Sequence, residues 1–343
     1  MNISTACMYS SPGNYRILWE ITNRCNANCR HCCNDSKINN ESSNELSLTR
    51  LTVLFEEAKK FGVNQMYITG GEPLIRDDFF NILYEARKRF KKTIMSSNGF
   101  YIDKNASIEL KRIKPDYVML SLDSISATLH DQNRKLDGLH NKVCAAIELL
   151  SSVNVPVRIN ITVTQFNYKE IDKLAYLSKE LGAEMVLFST FMPVGRGNKH
   201  TSLFLNDLQI NEIENEIEVI KKRQIGVEIK YKRTKQLGVA LEECPGADSY
   251  YYITAEGKIA PCPWICRLDD KFISTITLKD YSFFELVKSD SISQFRDFVK
   301  NRNQTHKCTP CNITNCGHGC PALAKIYDHD YSGFDPYCWE YRK

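Results

Sequence analysis

The sequence lacks any apolar run approaching the roughly 18 residues that a membrane-crossing helix needs, so it offers no transmembrane segment. It lacks an excess of charge of one sign. Its 45 Lys and Arg stand against 41 Asp and Glu, net +4, with no basic block, and composition gives no electrostatic case for nucleic acid or membrane as partner. The opening residues Met1-Asn2-Ile3-Ser4-Thr5-Ala6-Cys7 lack the basic segment and apolar core of a secretory signal, which predicts a cytoplasmic chain. Cysteines there are reduced, so the clustered members of a set of 14 are expected to hold metal rather than form disulfides.

Three of these cysteines lie in Cys25-Asn26-Ala27-Asn28-Cys29-Arg30-His31-Cys32, directly after the apolar run Ile17-Leu18-Trp19-Glu20-Ile21-Thr22. Three thiolates on one short loop suit a cubane iron–sulfur cluster, because soft sulfur ligands hold iron and a tight loop presents them to one side of it. A full protein set would be four. With three, one iron stays open to an exogenous group, and the cluster can act as a catalyst rather than only as an electron carrier. The competing reading is a structural zinc site, which usually takes four protein ligands in paired knuckles.

A chain of 343 residues with 43% hydrophobic content can bury one barrel core and a smaller second one. Periodicity predicts helices over 51–61, 77–90, 105–113, 139–153 and 168–181, alternating with strands over 65–69, 93–96, 117–122, 157–163 and 185–189. With the first apolar run this makes six short strands separated by helices, an α/β pattern that calls for a parallel sheet with right-handed crossovers. Six units fall short of a closed eight-fold barrel. Ligands of such sheets lie at the C-terminal strand ends, and there the sequence places the cysteine loop, Gly70-Gly71-Glu72-Pro73, Ser97-Asn98-Gly99, Asp123-Ser124, Thr164 and Pro193-Val194-Gly195-Arg196. A helix is expected over 207–223 within a linking region of about 199–239. Beyond it the alternation ends, Tyr250 to Ala260 reads as a hairpin turning at Glu256-Gly257, and cysteines resume in a small segment that metal would staple.

In this order the residues resemble radical S-adenosylmethionine enzymes with a C-terminal SPASM domain. The resemblance rests on the first cysteine motif, Gly70-Gly71-Glu72-Pro73, Ser121-Leu122-Asp123-Ser124, His130-Asp131 with Arg134, and Pro193 with Gly195-Arg196. In the tail it rests on Cys244 with Gly257 and Cys262, on Cys308, Cys311, Cys316 and Cys320, and on Asp335-Pro336-Tyr337-Cys338. It implies a partial (β/α)6 TIM-like barrel over 15–198 after an N-terminal segment 1–14, a bridging region 199–239 and an auxiliary-cluster domain over 240–343. It implies that Cys25, Cys29 and Cys32 hold a catalytic [4Fe–4S] cluster whose open iron is chelated by the amino and carboxylate groups of S-adenosylmethionine. One electron would then break the sulfonium bond, and the 5′-deoxyadenosyl radical would take hydrogen from substrate.

By the same resemblance Gly71 and Glu72 receive the amino group, with Gly70 and Pro73 beside them in the cofactor site, and Ser121 and Asp123 hydrogen-bond ribose or carboxylate. Arg134 pairs with the methionine carboxylate, Pro193 to Arg196 lie against adenine, and Asn98 and Thr164 complete the cofactor site. Two auxiliary [4Fe–4S] clusters are implied, one on Cys244, Cys262 and Cys320, the other on Cys308, Cys311, Cys316 and Cys338. The first lacks the cysteine that usually precedes Cys244, and Cys266 is the candidate replacement. Asp123 could instead cap the next helix, and His31 is expected to offer its backbone rather than act as acid or base. Cys33 could be a hydrogen-atom donor, although a buried thiol is the simpler reading, and Cys144 is expected in a helix core.

The implied task is modification of a ribosomally made peptide by cross-linking, thioether formation or epimerisation, with the auxiliary clusters taking the second electron. Only about 14 residues precede the first strand, so a separate leader-recognition protein or direct docking is expected, with flavodoxin or ferredoxin as electron donor. Pro263 follows Cys262 where sulfatase-maturing members usually carry an acid, which lowers the case for formylglycine formation. The tail also looks like that of members acting on haem precursors or on a quinone-cofactor peptide, and radical decarboxylation of a haem precursor is the alternative kept. A non-catalytic metal-cluster protein is the alternative of a different class.

Overall fold

The computed structural model describes residues 14–36, 44–232, 243–302, 316–336 and 338. Strand β1 (Tyr15–Glu20) starts the sheet, and α1 (Leu48–Phe61) returns the chain to β2 (Val63–Thr69). Local chemistry sets the limits of α1. The Ser47 side chain accepts the amide of Arg50 at its start, Gly62 ends it at φ 104°, and the stripe Leu51, Leu54, Phe55 and Ala58 is buried. The same rhythm continues through α2 (Phe79–Arg89), β3 (Lys92–Ser97), α3 (Lys104–Ile113), β4 (Tyr117–Ser121), α4 (Ala127–Arg134) and α5 (Leu139–Ser152). It ends with β5 (Val157–Val163), α6 (Ile171–Glu180), β6 (Met185–Thr190), α7 (Asp207–Arg223) and β7 (Glu228–Lys232).

The strands form one nine-stranded sheet in the order β7-β6-β5-β4-β3-β2-β1-β8-β9, in which β8 is Tyr250–Ile253 and β9 is Ile259–Ala260. Every pairing from β7 to β8 is parallel, and only β8 with β9 is antiparallel. The expected alternation of six strands is therefore present, and two additions extend it. The bridging region supplies a seventh parallel strand beside β6, and the expected hairpin lays its first strand against β1, Ile17 opposite Tyr251. Neither pairing with the main sheet has a local signal, because contact between distant segments leaves no periodicity in the chain.

Alternation along the strands separates two faces. Outward residues such as Ile17, Trp19, Met66, Ile68, Val118, Leu120, Ile159 and Ile161 are buried under the helices, with Trp19 edge-on to Phe55. Each contributes about 1.5–3 kcal/mol of hydrophobic stabilisation. Inward residues Tyr67, Met119, Ser121, Asn160, Thr162 and Ser189 are only partly buried, so the lumen of the barrel is open. Beyond the sheet, α8 (Pro263–Leu268), α9 (Phe283–Val287), α10 (Asp290–Asn301) and α11 (Pro321–Asp328) form the C-terminal part, with α11 against α8 and α9 against α1. Among the described residues no helix is long and apolar enough to cross a membrane.

Candidate active site

The cysteine loop leaves β1 at the C-terminal edge of the sheet and is held from three sides. Gly70 and Gly71, after β2, dock backbone to backbone: the Gly71 amide donates to the Thr22 carbonyl at 2.8 Å and the Glu72 amide to the Arg24 carbonyl at 2.8 Å. A side chain could not enter there. A Cβ on Gly71 would collide with the Arg24 carbonyl and stand 2.9 Å from the Cys25 Cβ, and one on Gly70 would lie 2.7 Å from the Thr22 oxygen. From the second side, the C-terminal end of α4 accepts the Asn28 amide at the Arg134 carbonyl (3.1 Å) and the Arg30 amide at the Asn133 carbonyl (2.9 Å). From the third, Arg196 donates Nη1 to the Cys29 carbonyl at 2.9 Å and Nη2 to the Ser36 carbonyl, and its amide reaches the Cys32 carbonyl at 3.0 Å. Gly195, at φ 57°, lets that segment approach the carbonyls of Cys32 and Cys33.

Glu72 is fully buried, and burial pushes its carboxyl up to about 7 although three donors face it. Its Oε1 accepts from the Leu74 amide at 3.2 Å and the Ser97 hydroxyl at 2.9 Å, and its Oε2 from the Asn98 amide at 2.7 Å. It thereby fastens the end of β3 to the Gly-Gly turn, with Pro73 opening a short 3-10 turn behind it. Asn98 passes the constraint on, donating Nδ2 to Asn26 Oδ1 at 2.8 Å inside the cysteine loop.

Asp123 links four segments. Its Oδ2 accepts from Arg134 Nε and Nη2, both at 2.8 Å, and its Oδ1 accepts from the Thr162 amide at 3.1 Å. Its carbonyl accepts from Asn167 Nδ2 at 2.8 Å, and Asn167 also receives the Thr164 amide at 2.8 Å. Burial alone would raise the Asp123 carboxyl, but the charge of Arg134 first, with the His31 and His130 rings beside it and the Thr162 amide, holds it below the ordinary carboxylate value. Burial also drives His31 down to about 4, so the imidazole is neutral, accepting Asn133 Nδ2 at its Nδ1 (2.8 Å) with Nε2 facing Asp123 at 3.6 Å. Ser126, not Asp123, caps α4.

These positions sharpen several expectations. Arg134, expected on a methionine carboxylate, has Nε and Nη2 engaged by Asp123, and its Nη1 points to Cys29 Sγ at 3.9 Å. Arg196, expected against adenine, clamps loop carbonyls, and Pro193 beside it is buried. Ser121 stands on the lumen face at the end of β4. Cys33 donates to Asn34 Oδ1 at 3.4 Å, burial pushing its thiol up to about 12, and Cys144 lies on α5 beside His140.

A second constellation was not singled out from the sequence. Glu20, the inward carboxylate of β1, is buried; Tyr252 of β8 donates its hydroxyl to Oε2, and Arg267 Nη2 lies 3.1 Å from the same oxygen. Burial pushes Glu20 up to about 7 against the pull of Arg267, and its Oε1 has no partner. A carboxylate interrupting an apolar strand was the available signal.

In the C-terminal part, Cys262 opens α8 and Cys266 follows one turn later, both buried. Glu243 bridges His318, which brings the Cys244 segment alongside Cys316 and Cys320. Asp335 accepts the Cys320 amide at its side chain and the Cys338 amide at its carbonyl, both at 2.8 Å, joining those two cysteines' segments. Cys308 and Cys311 lie outside the described residues.

The first loop fits a cubane cluster by its donors. Burial pushes the Cys25 thiol to about 12 and Cys29 to about 11, so thiolates there need a cation to stabilise them, and Asn26 Nδ2 is a buried donor with no partner in the same loop. Among the described residues no three His, Cys, Asp or Glu side chains converge on one point as a single ion would require. A cubane takes its thiolates on separate irons and asks for a wider triangle.

Residues 19–177 match the family model described as the Radical SAM superfamily. The AdoMet-dependent heme synthase of Methanosarcina barkeri is 26% identical over 342 residues, 94% of this chain and 95% of that protein. The mycofactocin maturase MftC of Mycobacterium tuberculosis is 25% identical over 329 residues, 94% of this chain and 82% of that one. Streptococcus suis SuiB, solved bound to S-adenosylmethionine and bound to precursor peptide SuiA, gives a TM-score of 0.77 in both cases. Sequence identities are 19% and 18%, with 95% of this chain covered and 77% and 76% of SuiB, so that likeness is one of fold.

Proposed function

The chain is a radical SAM enzyme, and on that premise we propose that it abstracts hydrogen from a ribosomally made peptide whose reacting residue enters the open barrel lumen. Cys25, Cys29 and Cys32 would hold the [4Fe–4S] cluster, whose chemistry when loaded is one-electron cleavage of bound S-adenosylmethionine and hydrogen abstraction from substrate. The observation that carries the reading is the rigid three-thiol loop at the C-terminal mouth of that lumen, fixed by Gly71, Arg134 and Arg196. Rigidity matters because a reactive group misplaced by about 1 Å loses on the order of a hundredfold in rate.

Around the loop, Gly70 to Pro73, Asn98, Ser121, Asp123, Arg134, Thr164 and Pro193 to Arg196 would bind the nucleotide. Glu72, Asn98 and Thr164 shape the wall through the hydrogen bonds they already make, while the lumen-facing Ser121 hydroxyl and Arg134, whose Nη1 points to Cys29 Sγ, would be the groups left to hold the cofactor. Two auxiliary clusters would sit on Cys244, Cys262, Cys320 and Cys266, and on Cys308, Cys311, Cys316 and Cys338. SuiB solved with SuiA and the maturase MftC support a peptide substrate. A leader-recognition partner, flavodoxin or ferredoxin as electron donor and a cytoplasmic setting complete the proposal.

One observation favours a second reading, radical oxidation of a haem precursor: the heme synthase of M. barkeri corresponds to this chain over 95% of its own length. Anaerobic reconstitution with iron and sulfide, then dithionite and S-adenosylmethionine, tests the common core, and 5′-deoxyadenosine above the buffer level is the expected result. A peptide encoded in a neighbouring reading frame, altered in mass after incubation, supports the first substrate. An iron-coproporphyrin that loses carboxyl mass supports the second.

A further inference from the structure

The opposite end of the lumen from the cysteine loop carries an unusual concentration of positive charge. Arg16, Lys92 and Arg158 project inward from the first two residues of β1, β3 and β5, and Lys230 from β7. Arg16 is 5% exposed, and its Nε and Nη2 have no hydrogen-bond partner. Arg158 lies 3.9 Å from the centre of the Tyr117 ring, and its Nε and Nη1 are likewise buried without a partner. Lys92 approaches the same ring at 5.5 Å. Burial, with Arg158, Lys230 and Arg16 nearby, lowers the ammonium pKa of Lys92 despite the opposing pull of Asp116. The acids close by are committed: Asp116 accepts the Thr93 amide at 2.8 Å, and Glu228, 55% exposed, pairs with Lys230 at 3.1 Å.

Like charges gathered with unsatisfied donors are costly, and an anion between them would relieve both the repulsion and the missing hydrogen bonds. We propose that this floor is an anion site in which the guanidiniums of Arg16 and Arg158, with Lys92, hold a carboxylate of the substrate. The proposal rests on the reading above that the lumen receives substrate, and it adds the chemistry of the far end of that substrate. Planar guanidiniums present paired donors that match a carboxylate, and two of them stacked on or over tyrosine rings are already oriented. Along β1 the floor lies four residues from Glu20, about 13 Å at strand rise. The substrate therefore carries a carboxylate at about that distance or more from the atom attacked, as a propionate across a tetrapyrrole would, or a C-terminus about four extended residues from the reacting side chain.

The test is isothermal titration of the full-length reconstituted protein with citrate, with inorganic phosphate as the second anion. Citrate is expected to bind, and Arg16→Gln or Arg158→Gln to weaken it about tenfold or more, while Lys88→Gln on the outer surface changes nothing. Arg16→Lys and Arg158→Lys keep the charge and are expected to retain part of the binding. Citrate should raise the thermal midpoint of wild type and leave that of the Gln variants unmoved, which separates lost binding from lost fold. Equal binding in wild type and Gln variants overturns the site, and phosphate binding far tighter than citrate overturns the carboxylate. Displacement of citrate by coproporphyrin III but not its tetramethyl ester supports a tetrapyrrole carboxylate. Displacement by a tetrapeptide acid but not its amide supports a peptide C-terminus, and displacement by neither overturns a substrate carboxylate here. 5′-Deoxyadenosine formation with no citrate discrimination removes this inference alone, whereas citrate binding without nucleotide cleavage removes the enzyme reading and leaves the site.

Discussion

Asp123→Asn perturbs the pair on which the cysteine loop leans. Wild-type Asp123 is fully buried and takes two donors of Arg134 on one oxygen, so the substitution leaves a guanidinium that is 5% exposed without its counter-charge. Removing one partner of a buried ion pair costs about 3–5 kcal/mol. Arg134→Leu should cost a similar amount by stranding the carboxylate. The double variant strands neither charge and should fall short of the sum by about 2 kcal/mol or more. Equilibrium urea unfolding under anaerobic conditions measures all four corners of the cycle. The pH dependence has a definite sign. The folded pKa of Asp123 lies below its unfolded value, so the coupling is fully present above the ordinary carboxylate range and disappears only as pH falls through the lower folded value. Costs that add within about 0.5 kcal/mol, or a coupling unchanged in strong acid, would refute the pair as the loop's support.

Three further outcomes are expected. Glu20→Gln should remove a pH slope: folded Glu20 keeps its proton to about pH 7, so between about pH 4.5 and 7 wild type loses stability as pH rises, by up to about 1.4 kcal/mol per unit, and the variant does not. Urea unfolding at several pH values in that window reads it, and parallel profiles would contradict it. Gly71→Ala forces a methyl group against the Arg24 carbonyl and Cys25, an overpacking of about 1–3 kcal/mol, and iron and sulfide content per chain should fall. Asn98→Ala leaves Asn26 Oδ1 and the Phe100 amide without their partner, costing about 1–3 kcal/mol and loosening the loop to limited proteolysis.

What the sequence revealed was local. The C-x3-C-x2-C loop and Gly70-Gly71 could be read because each packs its chemistry into a few adjacent residues, and the strands and helices before position 190, the short α4 excepted, because their periods are regular. The reasons behind those residues were not readable. That Gly71 must lack a Cβ depends on the Arg24 carbonyl, and that Arg196 grips the loop depends on Cys29 and Ser36, contacts separated by more than 40 residues. β7 was passed over because Glu228-Ile229-Lys230-Tyr231-Lys232 alternates charge with apolar residues, which reads as a solvated connection until β6 stands beside it. Glu20 is absorbed into an apolar run and Arg16 stands just before it, and the inward direction of both follows from the barrel, not from the run.

The claim on which the rest depends is that the loop of Cys25, Cys29 and Cys32 holds a cluster with one iron open to S-adenosylmethionine. The direct measurement is electron paramagnetic resonance of anaerobically reduced protein in which the C-terminal cysteines are intact, before and after adding the nucleotide. A shift in one reduced-cluster signal, abolished in the Cys25→Ala, Cys29→Ala and Cys32→Ala triple variant, is the predicted result. Spectra that do not change on adding the nucleotide, or a shift that survives in the triple variant, would contradict it.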